Sequence, residues 1–413
     1  MSRLALDGGA PVRDTWKTRR GGRWPKWPLV SEENWPQQEA SFREVYLSGT
    51  EGIPRPRCER FAKAYNAYLG TPYGMMTTSG TSALKLALCA VTDTDGLGYN
   101  GEVLVPNYTF IASAHAAWET GFSVRFVDVE PENACMDPDV LEAAIGPKTR
   151  VIMPVDILGF PADMDRILAV ARKHNLKVVA DACQAHGASY KGKKCGSMGD
   201  AGCFSFQSTK NMTSGEGGFL ATHSEEVYKR AYTLHDVGRA PKGMKWDEPR
   251  AGYNYRPSEY LATLLENRLK DLDAQCALRN RGARYLTQEL KGITGIRPAQ
   301  PLTEAVTNHA WHLYSMVYTP SAFGNRSRDE FIRALQAEGI PCSPGYTDLQ
   351  SRHDVTLAVK KRHPELVAEE PCPNAEYFCA QSVWLYQWML LAEEADLADV
   401  PEAIRKIQKA FHA

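Results

Sequence analysis

Short apolar runs alternate with amphipathic stretches along much of the chain. GMMTTSGTSALKLALCAV reads as strand, Gly/Ser/Thr turn and helix, and EVLVPNYTFIASAHAAWETG as strand, proline-containing turn and helix. SVRFVDV, VIMPVDI and LKVVADA are short Val/Ile-rich strands separated by the helical stretches DVLEAAIG and DMDRILAVARKHN. Ahead of them, CERFAKAYNAYLG sets Phe61, Ala64, Tyr65 and Leu69 at helical spacing. Such repetition predicts an α/β protein with a mostly parallel sheet covered by helices on both faces. The polar residues that end its strands then meet at the C-terminal edge, where open sheets bind ligands.

The pattern breaks twice. Residues 1–40, rich in Trp, Pro and Arg (GGRWPKWPLVSEENWP), read as an extended arm, and helical spacing begins at about Ser41. Residues 41–268 hold the β–α rhythm and form the large domain. One long helical pattern, NYRPSEYLATLLENRLKDLDAQCALRNRGARYLTQEL, leads into residues 269–413, where HLYSMVYT and DEFIRALQAEG mix strand and helix without that rhythm. These residues predict a smaller C-terminal α+β domain.

Charge and cysteine usage narrow the partners. A formal net charge of −1 argues against nucleic acid or an anionic membrane surface. No apolar run approaches a membrane span, and the opening LALDGGAPVRD turns polar too soon for a secretory signal. The stretch from Arg13 to Lys26, with Lys17, Arg19, Arg20 and Arg23, reads as a solvated arm. None of the ten cysteines forms a CxxC pair, so no metal site is expected, and the thiols read as buried residues of a reducing, cytoplasmic compartment.

Three strand ends carry chemistry. In TTSGTSAL a Gly/Ser/Thr turn opens a helix, which suits either a phosphate or an ordinary N-cap by Ser79 or Thr81. VVADACQAHG ends a buried strand on Asp181, a carboxylate that needs a partner and fits a metal ligand, a cap or a cofactor contact. SFQSTKNMTSGEGGF sets Lys210 between hydroxyls and glycines, with neither a P-loop frame nor a GxGxxG dinucleotide fingerprint nearby. Pyridoxal 5′-phosphate uses all three: a phosphate cradle, a carboxylate that holds the pyridine nitrogen protonated, and a lysine that bonds the cofactor and then shuttles a proton. His186 reads as packing beneath that cofactor or bonding to backbone, and His312 in WHLY as structural.

FSFQSTKNMTSGEGG, VVADACQAHGA, TTSGTSALKLAL, VPNYTFIAS and GYNYRPSE together resemble the DegT/StrS-type sugar aminotransferases, fold-type I pyridoxal-phosphate enzymes, over nearly the whole chain. RWPKWP and SVWLYQWMLLAEEAD are similar to the branch with scyllo-inosose aminotransferases and 3-amino-5-hydroxybenzoate synthase. The resemblance implies Lys210 as the Schiff-base lysine and Asp181 as partner of the ring nitrogen. It implies Gln184 on the ring hydroxyl, Phe110 against the ring face, and Gly80, Thr81, Ser82 and Ser205 around the phosphate. Asn254, with Arg256 as second candidate, would reach the phosphate of a neighbouring subunit in a homodimer. The implied reaction moves an amino group from glutamine or glutamate to a keto-sugar or keto-cyclitol. Elimination or aromatisation on the same fold, and a non-catalytic regulator, are the alternatives. ADACQAHG lacks the Glu that many members carry before the Asp, while the sugar dehydratases of the superfamily replace the lysine with His; Lys210 therefore favours amino transfer.

Overall fold

A computed structural model describes residues 3–13, 24–49, 55–98, 100–241, 243–244, 250–299 and 305–412. Its centre is an eight-stranded sheet in the order Tyr73–Thr77, Gly218–Thr222, Ala201–Ser205, Lys177–Asp181, Thr149–Ile152, Glu102–Pro106, Ser123–Val127, Val367–Ala368. Only Gly218–Thr222 runs against the others. The sheet is mostly parallel, with helices packed against it, as the β–α alternation predicts. The long runs of wholly buried strand residues follow from coverage on both faces.

Register fixes which residues share the ligand-binding edge. Gly218 lies between Thr77 on one side and Ser205 on the other, and Asp181 pairs with Cys203. The strand ends at Thr77, Asp181 and Ser205 thus stand in adjacent rows. The helix Gly80–Thr92 leaves the first of them, capped by Ser79, whose Oγ accepts from the Ser82 N–H at 3.1 Å.

A second, four-stranded antiparallel sheet is built from Ile296–Pro298, Leu313–Tyr318, Ser382–Tyr386 and Cys342–Pro344. The two parts of the chain share a core, since one buried cluster joins Leu104 and Ile152 to Leu286, Met316 and Leu385. Val367–Ala368, from the C-terminal part, also adds the last strand to the large sheet.

Several expectations need correction. The first long helix begins at Trp35 rather than Ser41, with Pro36 in its first turn, where a missing N–H costs nothing. The pattern from Asn254 to Leu290 folds as two helices, Glu259–Leu269 and Leu272–Leu290, because Lys270 and Asp271 close short turns onto Asn267 and Arg268. In the helix Pro56–Leu69, Ala64 is exposed, and the buried stripe is Phe61, Tyr65 and Leu69 beside Arg57 and Cys58. The basic stretch is not simply solvated. Arg13 is buried and pairs with Asp396 at 3.0 Å and Asp399 at 2.7 Å, and its guanidinium lies over the Trp24 ring. Lys17, Arg19, Arg20 and Arg23 lie outside the described residues.

Candidate active site

A cavity of about 850 Å³ opens at the C-terminal edge of the large sheet, and Gly80, Thr81, Asp181, Gln184, Ser205 and Lys210 all line it. Gly80 is required by close approach. A Cβ there would sit 2.8 Å from both Cys183 Sγ and Ser205 Cβ, so only glycine lets the helix start directly over these two strand ends. Thr81 and Ser205 line the same space as the first turn of that helix, whose N–H groups lack intrahelical acceptors.

Asp181 is buried at its strand end. Oδ2 accepts from the Ser113 hydroxyl at 2.8 Å and Oδ1 from the Cys183 N–H at 3.1 Å. Both donors are neutral, and no basic side chain pairs with the carboxylate among the described residues. Its negative charge is oriented but not cancelled, on the wall of a cavity. Such a group is suited to hold a cation that enters there.

Lys210 ends a turn closed by its own N–H to Gln207 O at 2.9 Å. It is half-buried. Desolvation lowers the proton affinity of Nζ, against the opposing pull of Cys183 and Asp181. An amine held this way reaches its nucleophilic, neutral form more readily than a surface lysine.

Gln184 is locked on both ends of its amide: Oε1 accepts from Leu158 N–H, and Nε2 donates to Tyr346 Oη, each at 2.8 Å. Phe110 is 55% exposed at the cavity wall, tilted against Tyr346 with centroids 6.5 Å apart. Ser82 is not part of the lining; its hydroxyl lies 2.8 Å from that of Thr78 and 2.7 Å from that of Ser79. Asn254 is exposed and does not line the cavity of its own chain; its backbone is bridged to that of Asp236, whose Oδ1 takes Arg256 Nη1 at 2.8 Å.

His186 does not line the cavity. Its Nε2 donates to Ser205 O at 2.7 Å, which leaves Nδ1 to accept from Tyr65 Oη at 3.0 Å. Burial pushes the ring down to about 4, so it is neutral and braces the backbone behind the phosphate-side strand. His312 does reach the cavity wall, with Nδ1 3.2 Å from Asn211 Oδ1. Sequence reading also passed over Trp27, which lines the cavity and donates through Nε1 to Ser208 O at 3.0 Å. The RWPKWP segment was the only signal for it.

This fold and cavity define a pyridoxal-phosphate transferase of fold type I. Residues 36–405 match the model of the DegT/DnrJ/EryC1/StrS aminotransferase family, and the chain belongs to that family. It is 33% identical to an L-glutamine:2-deoxy-scyllo-inosose aminotransferase of Streptoalloteichus tenebrarius, over 98% of this chain and 97% of that protein. A GDP-perosamine synthase of Caulobacter vibrioides is 37% identical over 69% of this chain and 74% of its own. Among solved structures, 3-amino-5-hydroxybenzoic acid synthase superposes with a TM-score of 0.82 at 28% identity, covering 94% of this chain and 99% of that one. The cofactor of the family is pyridoxal 5′-phosphate. The cavity fits it: an uncancelled carboxylate, a desolvated amine and a helix start left open by Gly80 surround one space.

Proposed function

We propose that this aminotransferase moves the amino group of glutamine, or of glutamate, onto the ketone of a cyclitol or related polyhydroxylated ring. The observation that carries the reading is Lys210 and Asp181 on one cavity, in a chain similar over nearly its full length to glutamine-dependent scyllo-inosose aminotransferases. Aromatic walls, including Trp27, Tyr346 and Trp384, support a ring-shaped acceptor, whose C–H face packs well against them.

Bound pyridoxal phosphate supplies an electron sink for the carbon that loses a proton. Lys210 would hold the cofactor through Nζ, and the same amine, when free, would take the proton from the donor carbon and give it back during amino transfer. Asp181, aligned by Ser113, keeps the ring nitrogen cationic. Thr81, Ser205 and the Gly80 helix start hold the phosphate, with Ser82 as part of the turn. Gln184 holds the ring hydroxyl, and Phe110 covers a ring face. We assign Asn254 of the partner subunit to the phosphate, in a homodimer with shared sites; its exposure and its absence from the lining of its own chain's cavity support this. Free thiols at all ten cysteines suit a reducing, cytoplasmic setting, and among the described residues no helix is long and apolar enough to cross a membrane.

A half-reaction screen tests the reading. Glutamine or glutamate should convert the enzyme stoichiometrically to its aminated cofactor form, and a keto-cyclitol or keto-sugar should convert it back. Failure of every ring ketone to do so would return the elimination and regulator readings to the front.

A further inference from the structure

Lys85 lies on the helix Gly80–Thr92, whose Gly80 and Thr81 line the cavity, yet Lys85 itself does not. It is buried, and its Nζ donates to Tyr255 Oη at 2.7 Å and to Glu119 Oε2 at 2.6 Å. The ammonium also lies over two rings, 4.9 Å from the centroid of Tyr253 and 5.3 Å from that of Tyr255. Those rings stack on each other, with centroids 4.9 Å apart and planes 15° from parallel. A buried lysine with no part in the proposed chemistry thus grips one short segment at two points.

That segment is an extended ribbon. Tyr253 N–H donates to Leu234 O at 2.6 Å, Val237 N–H to Tyr253 O at 3.0 Å and Tyr255 N–H to His235 O at 3.1 Å. Between them, Asn254 bridges Asp236 in antiparallel register. Side chains alternate along an extended strand, so Tyr253 and Tyr255 share one face and Asn254 takes the other. The tyrosine face meets Lys85, and Asn254 is exposed. Arg256 Nη1 at 2.8 Å and Arg55 Nη2 at 3.3 Å fix the Asp236 carboxylate on the opposing strand. An apolar residue at position 85 would fill the space but leave the rings free to slide. The hydrogen bond and the cation–π contacts give them one orientation, at the cost of burying an ammonium.

We propose that Lys85 is a positioning residue for the neighbouring subunit's site, because it sets the ribbon from which Asn254 reaches the cofactor phosphate there. The inference rests on the shared-site reading above. The helix Gly80–Thr92 then serves two sites, its own through Gly80 and Thr81 and the neighbouring one through Lys85.

Mixed dimers separate these two roles. A Lys85→Met homodimer should take up pyridoxal phosphate about tenfold more weakly than wild type. A Lys85→Met chain is then paired with a Lys210→Ala chain, titrated with the cofactor and fixed with borohydride. Of the two Schiff-base positions only that of the Lys85→Met chain can be labelled, and its site borrows Asn254 from the chain with intact Lys85. Half-saturation of that label should return to within about twofold of wild type. If it stays at the homodimer value, Lys85 acts on its own chain's cradle and the proposal fails. An unweakened Lys85→Met homodimer overturns it as well. Lys85→Arg should keep most of the affinity, since a guanidinium can still donate and stack. Should Lys85→Met fail to fold, Tyr255→Phe, which loses only the hydroxyl that Lys85 holds, takes its place. A several-fold loss is then expected in the homodimer, with the same recovery.

An Asn254→Ala chain paired in the same way tells the two readings apart. Recovery there but not with Lys85→Met removes Lys85 alone. Recovery with neither removes the shared site, and the role of Lys85 with it. Recovery with Lys85→Met alone would overturn Asn254 as the residue presented, while keeping Lys85 as support for the neighbouring site.

Discussion

The Ser113 hydroxyl donates to Asp181 Oδ2 at 2.8 Å and so aims the carboxylate without neutralising it. Asp181→Asn keeps the shape but removes the charge proposed to stabilise a protonated ring nitrogen. The variant should fold, hold the cofactor more weakly and slow the proton-transfer half-reaction about 100-fold or more, a loss of ~3 kcal/mol. Ser113→Ala removes one hydrogen bond, about 1 kcal/mol, and should slow the same step only several-fold. Stopped-flow absorbance with glutamine measures both. Near-normal rates in Asp181→Asn would remove Asp181 from the proposed chemistry.

Desolvation around Lys210 favours its neutral amine, the form that bonds a carbonyl. Borohydride reduction of the cofactor-loaded enzyme should fix the label on the peptide that contains Lys210. Lys210→Ala should lose steady turnover. A label found on another lysine refutes the assignment.

Gly80 admits no side chain. Gly80→Ala would press a methyl group to 2.8 Å from Cys183 Sγ and Ser205 Cβ, so the helix start must shift. Overpacking of this kind costs about 1–3 kcal/mol. Calorimetry should show a lower Tm for the apoenzyme, and the cofactor should bind more weakly, because the displaced element is the proposed phosphate cradle. An unchanged cofactor Kd would mean the phosphate lies elsewhere.

Asp156 gives stability a pH dependence. Burial pushes its carboxyl up to about 7, Asp181 adds to that rise, and contacts to Ala162 N–H and Cys195 oppose it. In the unfolded chain the group titrates near 4. Between about pH 4 and 7 the folded state therefore holds the extra proton, so this contribution to stability is fully present below about pH 4 and is lost as pH rises to about 7. Asp156→Asn should raise Tm at pH 8 and raise it less at pH 5, because Asn retains the acceptor that Ala162 N–H uses. Equal shifts at the two pH values would show that the aspartate does not titrate in this window.

Shared sites can be tested by mixing subunits. Lys210→Ala and Asn254→Ala homodimers should each be impaired, whereas a heterodimer collects both defects in one site and leaves the other intact. Activity should recover on exchange. Verified exchange without recovery would show that Asn254 acts within its own chain or not at all.

How much of this was written locally follows from the range of each interaction. Strand–turn–helix alternation depends on neighbouring residues, so the sequence by itself determined a mostly parallel sheet and the strand ends that carry Gly80, Asp181, Ser205 and Lys210. The residue types at those ends, a glycine turn, a lone carboxylate and a lysine among hydroxyls, already pointed to one cofactor. Tertiary structure alone decided what braces and surrounds them. Ser113 reaches Asp181 across 68 positions, and Lys85 reaches Tyr255 across 170. Trp27 closes over Ser208 across 181. No periodicity encodes such contacts, because each depends on how separate elements pack. The same reason placed Arg13 inside the fold: its charge read as solvated until Asp396 and Asp399, at the far end of the chain, were brought against it.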